Sequence, residues 1–443
     1  MRSRDPRAWA ASLLVTAGCV GATPGYLGPA SADSGSTADG ATMSSSPTSS
    51  ATADEGTSSS TSDDGSGSTS STACGDGVPT TGSFCFDDGV ATALAPGVEP
   101  GKIAPWDVDG DGNLDVAVAY KANMGEVMFE WLLGDGTAAL TPAGAYGRST
   151  LNAFAPIDLV IADADGDGIA DATVVAQQGS EARICTGTSD GAGGFADVVE
   201  IVPSQGRLRA LAMGDVDGDG AADPIVGDED ASSIYLFESG APGNPSSPSQ
   251  VIALTAHEPS LLGLADLDGD DVDDLVVVDT GDSGVGVLRG PLSERSVLDE
   301  ALILGSTPGG AHPEGLLVTD LDDDGDVDVA VALTSANAIA VLVNDGTGAL
   351  AFSEIAMASV GPVALGCGDF DGDGASDIVA LGSVSNSLTF AYRDGEAWVP
   401  SASVQLLEVA TDLVVGDIDG DGIDDIVLAS SSPALVQVYL AKP

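Results

Sequence analysis

Basic residues are scarce in this 443-residue chain, where 13 Lys and Arg stand against 69 Asp and Glu and the formal net charge is −56. A field of that sign repels phosphates and anionic headgroups, which excludes non-specific nucleic-acid binding and electrostatic attraction to a membrane. Aromatic residues make up only 4% of the chain, fewer than an aromatic ligand groove would need. The abundant Ala, Val and Gly instead suit thin, closely stacked sheets.

Catalytic motifs are also absent, since the sequence has no phosphate-binding loop, CxxC pair or Rossmann fingerprint. Its two histidines, His257 and His312, precede prolines in loops, with Glu258 and Glu314 beside them. No arrangement of these groups resembles a Ser-His-Asp triad. We therefore expect a protein that is not an enzyme.

What the chain does have is a nine-residue motif, Asp-x-Asp-Gly-Asp-Gly-x-x-Asp, in seven near-identical copies spaced 48 to 56 residues apart. The copies begin at Asp107, Asp163, Asp215, Asp266, Asp320, Asp369 and Asp417, and all carry Asp at positions 1, 3, 5 and 9. Carboxylates at alternating positions of a curled loop supply the oxygen ligands that Ca²⁺ requires. The near-constant period indicates a repeat architecture with up to seven structural Ca²⁺ ions.

Position 7 varies without chemical theme, so a ligand there must be the backbone carbonyl. The predicted metal ligands are Asp107, Asp109, Asp111, Asn113 and Asp115; Asp163, Asp165, Asp167, Ile169 and Asp171; Asp215, Asp217, Asp219, Ala221 and Asp223; Asp266, Asp268, Asp270, Val272 and Asp274; Asp320, Asp322, Asp324, Asp326 and Asp328; Asp369, Asp371, Asp373, Ala375 and Asp377; and Asp417, Asp419, Asp421, Ile423 and Asp425. Position 6 is Gly in six copies, where we expect a positive φ angle. Asp271 replaces it in the fourth copy, where we expect weaker binding, and Asp323 replaces the usual Gly at position 4 of the fifth.

Two other interpretations of the motif fit less well. Asx-turns without metal would leave four crowded carboxylates repelling one another. An EF-hand or dockerin loop needs flanking helices, and an EF-hand also needs Glu at position 12, where this chain has Val, Ala or Leu.

Short apolar runs rich in β-branched residues flank every motif and are typical of buried strands. Two more strand-like segments follow before the next motif, as in 234–238 with 250–254 and 339–344 with 350–355. Four strands per roughly 50 residues predict a propeller blade. The fold class is therefore all-β, a seven-bladed propeller of four-stranded antiparallel blades.

A proline lies seven residues before the motif in five copies, at Pro100, Pro156, Pro259, Pro313 and Pro362, where it marks the start of a first strand. The seventh copy is followed by room for only two more strands before Pro443. Residues 84–94 are predicted to supply the missing strand and close the ring, which would leave no free edge.

The combined pattern, best preserved from Gly361 to Ala380, resembles the FG-GAP/VCBS repeats of integrin α-subunit propellers and many bacterial surface proteins. The resemblance covers about residues 84–443. It implies the propeller fold and calcium binding, but the family includes adhesins, lectins, lyases and scaffolds, so it leaves the function open.

The N-terminal residues predict export. A basic region with Arg2, Arg4 and Arg7 precedes an apolar stretch too short to span a membrane, and both fit a signal peptide over 1–18. Thr16-Ala17-Gly18-Cys19 resembles a bacterial lipobox, although Leu is usual where Thr16 stands, so we expect lipidation of Cys19, with plain secretion as the alternative. Residues 19–73 are predicted to form a disordered tether rich in Ser and Thr.

Residues 74–100 hold a Cys-rich loop and the closing strand, and residues 101–443 the propeller. Cys74 and Cys85 bracket a small loop and are predicted to form a disulfide. Cys185 and Cys367 fall in buried strands, where we expect small hydrophobic residues rather than a bridge.

These observations predict a monomeric surface module on a bacterial cell envelope that binds a protein or glycan partner and touches the membrane only through its lipid. A calcium-dependent lectin is the alternative, with Phe154 and Tyr120 as candidate platforms. A polysaccharide lyase or hydrolase is the third possibility, and it would rely on Arg207, Arg209 and the histidines.

Overall fold

The computed structural model describes residues 82, 84–122, 127–147, 154–201, 206–215, 220–237, 248–254, 258–270, 272–281, 284–292, 300–303, 312–357, 360–395, 397–401 and 403–442. Throughout these ranges the regular elements are β-strands. Among the described residues, no helix is long and apolar enough to cross a bilayer. The signal peptide, Cys19, the tether and Cys74 lie outside the described residues and stay predictions.

The strands form seven antiparallel sheets, as predicted. The first three blades contain β2 (Glu99–Trp106), β3 (Asp115–Lys121), β4 (Val127–Gly134) and β5 (Leu140–Gly147); β6 (Ala155–Ala162), β7 (Asp171–Gln178), β8 (Glu181–Ser189) and β9 (Phe195–Ile201); and β10 (Leu208–Gly214), β11 (Asp223–Asp228), β12 (Ser233–Leu236) and β13 (Gln250–Ala253). The next three contain β14 (Pro259–Ala265), β15 (Asp274–Asp279), β16 (Gly284–Leu288) and β17 (Glu300–Ile303); β18 (Pro313–Thr319), β19 (Asp328–Leu333), β20 (Ala338–Val343) and β21 (Ala351–Met357); and β22 (Pro362–Gly368), β23 (Asp377–Gly382), β24 (Ser387–Asp394) and β25 (Ala397–Pro400), with β26 (Val404–Gln405) also paired to β24. The seventh contains β27 (Ala410–Gly416), β28 (Asp425–Ser431), β29 (Ala434–Tyr439) and β1 (Val90–Ala93).

The hydrophobic core lies between adjacent blades rather than within one of them. One cluster, for example, joins Val116 and Val118 of blade one to Val414, Val427 and Val438 of blade seven. The second strands are covered on both faces, and β15, β19 and β23 are buried along their whole length. Burial on both faces explains why these strands appear in the sequence as continuous apolar runs rather than as alternating patterns.

The first strands begin as the prolines predicted. Pro259, Pro313 and Pro362 are the first residues of β14, β18 and β22. In each of these strands the register shifts directly after the proline. All four other first strands carry the same shift near their start. The bulge therefore repeats around the ring and places one extra residue of each first strand at the end away from the motif loops.

The ring is closed by the N-terminal strand, which confirms the prediction. Strand β1 pairs with β29, with Val90 opposite Val438. Before it, Asp87 N–H donates to the carbonyl of Leu440 at 3.0 Å, and Lys442 N–H donates to the carbonyl of Cys85 at 2.8 Å. The two ends of the described chain thus complete one blade, and its outer edge is formed by the N-terminal segment.

Two of the three cysteine predictions are wrong, whereas Cys185 is buried in the core as predicted. Cys85 is a buried free thiol, so it does not form the predicted bond with Cys74. The backbone carbonyl of Cys85 accepts a hydrogen bond from Lys442 N–H as part of the ring closure, and its side chain is buried. Cys85 therefore belongs to the closing segment and not to a separate surface loop. Cys367, predicted to be a small core residue, is bonded in a disulfide.

Candidate metal centres

The seven motifs form loops that each join the first and second strands of a blade, so all of them lie on one face of the ring. Neighbouring loops touch: Ala222 N–H donates to the carbonyl of Asp163 at 2.7 Å, and Asp424 N–H to that of Asp369 at 3.0 Å. In blade three, Asp217 and Asp219 lie outside the described residues.

The first loop shows how the motif folds around its own carboxylates. Asp107 Oδ1 accepts hydrogen bonds from Gly110 N–H at 2.8 Å and Asp111 N–H at 3.1 Å, and its Oδ2 accepts one from Gly112 N–H at 3.0 Å. Asp111 Oδ1 accepts from Asn113 N–H at 2.8 Å. These backbone donors curl the chain and direct the carboxylates toward a common point.

The glycine positions behave as predicted. Gly112 has φ +91° and Gly325 has φ +96°, in the region that only glycine occupies readily. Asp323 takes the place of Gly at position 4 with φ +58°, which Asp tolerates better than most residues do. Its carboxylate accepts from the Ser376 hydroxyl at 3.1 Å, which ties loop five to loop six.

The aspartate at position 9, predicted only as a metal ligand, is also a buried hydrogen-bond acceptor that links the motif loop to the third strand of its blade. Asp328 Oδ2 accepts from Leu321 N–H at 3.0 Å, and its Oδ1 accepts from Asn344 N–H at 2.8 Å. The equivalent pairs are Val108 and Gly134 on Asp115, Ala164 and Ser189 on Asp171, and Ile418 and Ala441 on Asp425. In these four blades, position 9 therefore connects the start of the loop to the end of the third strand.

Carboxylate oxygens from three aspartates converge to within 4.8 Å of one another in several loops. The trios at positions 1, 3 and 9 are Asp107, Asp109 and Asp115; Asp163, Asp165 and Asp171; Asp320, Asp322 and Asp328; and Asp369, Asp371 and Asp377. In blade four the trio consists instead of Asp266, Asp268 and Asp270, at positions 1, 3 and 5. The structure thus brings together the residues that the motif predicted, although position 5 is in the trio only in blade four among these five loops.

Buried oxygens without a hydrogen-bond partner test whether a cation fits. Asp320 Oδ1 and Asp322 Oδ1 in loop five are inaccessible to solvent and accept no hydrogen bond. Asp268 Oδ1 in loop four is also without a partner, but the other oxygen of that carboxylate is paired with Arg289 at 2.6 Å. A buried carboxylate oxygen without a partner is costly. An all-oxygen donor set with such oxygens suits a hard cation such as Ca²⁺.

The electrostatics of the loops point the same way. Burial, which dominates, raises the pKa of Asp377 to about 8, and the charges of Asp371, Asp373 and Asp369 add to the rise. Burial likewise raises the pKa of position 9 to about 6 in Asp115 and Asp328 and to about 7 in Asp171 and Asp425. A divalent cation beside these groups would favour their ionised form.

Among the described residues, the other candidates do not assemble into a site. Arg207 and Arg209 both pair with Glu229, at 3.4 and 3.8 Å. Tyr120 and Phe154 are buried, so neither is an exposed aromatic platform. His312 is exposed, and His257 lies outside the described residues. The backbone carbonyl at position 7 stays a predicted ligand.

A cluster that the sequence did not indicate lies in the central channel. Lys102 Nζ is 3.3 Å from Asp412 Oδ1. The other oxygen of that carboxylate, Oδ2, accepts a hydrogen bond from Ile103 N–H at 3.0 Å. Asp158 and Glu314 line the same cavity, which has an empty volume of about 610 Å³ including its open mouth. Blades one, two, five and seven supply these groups, and only ring closure brings them together.

Comparison with known proteins supports the fold. The model of the FG-GAP-like repeat matches residues 107–174, 215–277, 320–380 and 369–428, together more than half of the chain. Catalytically inactive virginiamycin B lyase from Staphylococcus aureus, solved with quinupristin, is similar with a TM-score of 0.53 and 12% identity, over 81% of this chain and 100% of that one. BBS1N, solved in complex with ARL6DN, is similar with a TM-score of 0.50 and 13% identity, over 82% of this chain and 98% of that one. No curated protein sequence matches the chain.

Proposed function

The chain belongs to the FG-GAP-like repeat family, and from that premise we propose that it is a calcium-stabilised propeller acting as a non-enzymatic binding or adhesion module at a cell surface. The observation that carries the proposal is the recurrence of convergent carboxylate trios on one face of the ring. Calcium has a structural role there. It neutralises each trio and holds the loop in register with its blade, so that binding energy becomes folding energy.

The carboxylates at positions 1, 3, 5 and 9 would hold the ion together with the position-7 carbonyl. Position 9 links the ion to the third strand through its backbone donors, such as Asn344 N–H on Asp328. Loss of the ion in one blade would therefore loosen two strands of that blade and its contact with the neighbouring loop.

The face opposite the motif loops is the proposed partner surface. There the entry to a first strand meets the turn between strands two and three, as where Ser383 N–H donates to the Gly361 carbonyl at 2.9 Å. At blade six this face exposes Val384, at 74%, and Leu407, at 92%. Exposed aliphatic side chains favour a protein partner over a glycan, which is usually bound by aromatic faces.

Display from a membrane surface is the proposed context. A lipid on Cys19 would anchor the chain, and residues 19–73 would act as a polar tether with a root-mean-square reach on the order of 40 Å. Labelling cells with a clickable fatty acid tests this directly: the wild type should be labelled and Cys19→Ser should not. Label on neither protein would leave plain secretion as the route.

Two experiments test the binding role. The purified protein is applied to a broad glycan array with about 2 mM calcium and again with chelator, and no binding is expected in either condition. Binding that vanishes with chelator while the fold survives would make the protein a calcium-dependent lectin. In pull-downs from envelope extracts, a partner should be lost with Val384→Ser and Leu407→Ser together. It should be retained with Val251→Ser, at a valine exposed on the outer strand of blade three. Equal recovery with both would contradict the proposed surface.

A further inference from the structure

Arg289 extends its guanidinium into the metal loop of its own blade. Its Nη1 lies 2.6 Å from Asp268 Oδ2, at position 3, and 3.8 Å from Asp274 Oδ2, at position 9. The arginine side chain is only 24% exposed. The positively charged guanidinium therefore lies close to two carboxylates that are predicted metal ligands.

The guanidinium is also held from the neighbouring blade. Arg289 Nη2 donates to the carbonyl of Thr347 at 3.1 Å. Gly348 leaves the space that Nη1 occupies, since a Cβ there would lie 2.1 Å from that nitrogen. Gly348 has φ +71°, so its conformation also favours glycine. Contacts with blade four and blade five therefore fix the position of the Arg289 side chain. Lys442, 3.3 Å from Asp419 in blade seven, is more exposed, and its ammonium group is carried by a flexible chain.

No equivalent cation stands at this strand position in the other blades where the structure describes the contact. Arg289 directly precedes Gly290, whose N–H donates to Asp274 at 2.7 Å. The residues that precede the corresponding donors are Leu133, Thr188, Val343 and Leu440. All four are uncharged. In blade seven the basic partner of the loop is Lys442, which reaches Asp419 from two residues further along the chain.

The carboxylates of blade four are also arranged differently. Asp274 is not part of the convergent trio, which draws on Asp270 at position 5 instead. The same copy is the one in which Asp271 replaces the glycine at position 6. Loop sequence and side-chain geometry both set this blade apart from the others.

We propose that Arg289 takes the place of calcium in blade four, as a tethered cation that braces Asp268 and Asp274 and links blade four to blade five without metal. This inference rests on the proposed calcium role of the other loops. With seven motif copies in the chain, it lowers the expected number of bound calcium ions from seven to six. Blade four would then keep its loop structure when calcium is scarce and the other blades lose theirs.

Counting bound calcium tests the proposal. Native mass spectrometry of the whole protein in millimolar calcium should give six ions for the wild type and seven for Arg289→Met. Arg393→Met is the matched control, because Arg393 also reaches a metal loop but donates to the backbone carbonyl of Asp322. The control should keep six ions.

Seven ions in the wild type, or six in Arg289→Met, would overturn the proposal. No bound calcium in any of the three proteins would overturn the calcium role itself, and the inference with it. A second measurement covers the case of a poorly folded variant. In chelator the melting temperature of Arg289→Met should fall below that of Arg393→Met, and calcium should close that gap; an equal melting temperature in chelator would contradict the brace.

Discussion

Phe84 stacks on Phe390, with ring centroids 4.5 Å apart and an angle of 18° between the planes. The two residues lie 306 positions apart in the chain, and the contact presses the N-terminal segment against blade six just before it pairs with blade seven. Phe86 continues the stack, 5.4 Å from Phe390. The closing segment therefore bridges two blades rather than only adding one strand.

Removing the closing segment should destabilise the whole ring. Deleting residues 74–99 exposes the edge of β29 and the face of Phe390, so we expect a clear drop in melting temperature. Phe84→Ala alone should lower the free energy of unfolding by about 2 kcal/mol, since the ring is partly buried and stacked. Phe352→Ala, at a phenylalanine that is 50% exposed, is the control and should change little. Equal effects of the two substitutions in urea unfolding would contradict the bridging role.

Position 9 and position 5 of one loop should respond differently to calcium. Asp328→Asn replaces one acceptor of a buried carboxylate by a donor and leaves a backbone N–H without a partner, which should cost about 1–3 kcal/mol with or without calcium. Asp324→Asn, at an exposed position 5, should lower calcium affinity and change little in chelator. Urea unfolding in both conditions separates the two effects. A position-9 effect that disappeared in chelator would show that its only role is to bind metal.

The central channel should contribute its own pH dependence. Burial raises the pKa of Asp158 to about 6, although the Lys102 charge and the N–H groups of Leu211 and Leu159 oppose the rise. Because the folded-state pKa lies above the ordinary value of 3.8, the folded protein binds this proton more tightly. The contribution to stability is therefore full below about pH 4 and is lost as the pH rises through about 6.

Asp158→Asn isolates that contribution. Measured in chelator, the difference in unfolding free energy between the variant and the wild type should change between pH 4.5 and 7.5, with the variant gaining relative stability at the higher pH. A difference that is constant across this range would contradict the raised pKa.

The local features of the fold are predictable because they follow from short-range chemistry. The aspartate spacing, the Gly φ angles and the prolines at strand starts each depend on a few consecutive residues, and the missing last strand points to the closure. The buried state of Tyr120 is not predictable, since a strand covered on both faces gives no periodic signal. Phe154 lies just before β6, where no strand pattern reports its burial.

The remaining differences between sequence and structure involve contacts between residues far apart in the chain. Proximity in sequence pairs Cys85 with Cys74, while the structure gives Cys85 to the closure. The sequence does not single out Arg289, because its role depends on strand pairing within blade four and on Gly348 of the next blade. A signal is nevertheless present, since Arg289 is one of only 13 basic residues. It directly follows β16, which pairs with β15, the strand that begins at Asp274.

Thermal unfolding of the whole protein with calcium and with chelator tests the central claim most directly. Each occupied site should add about 2 kcal/mol at about 2 mM calcium if its Kd is about 10⁻⁴ M. We therefore predict a large rise in melting temperature and greater protease resistance with calcium, with magnesium giving much less. Identical melting curves in calcium and in chelator would contradict the structural role of the ion.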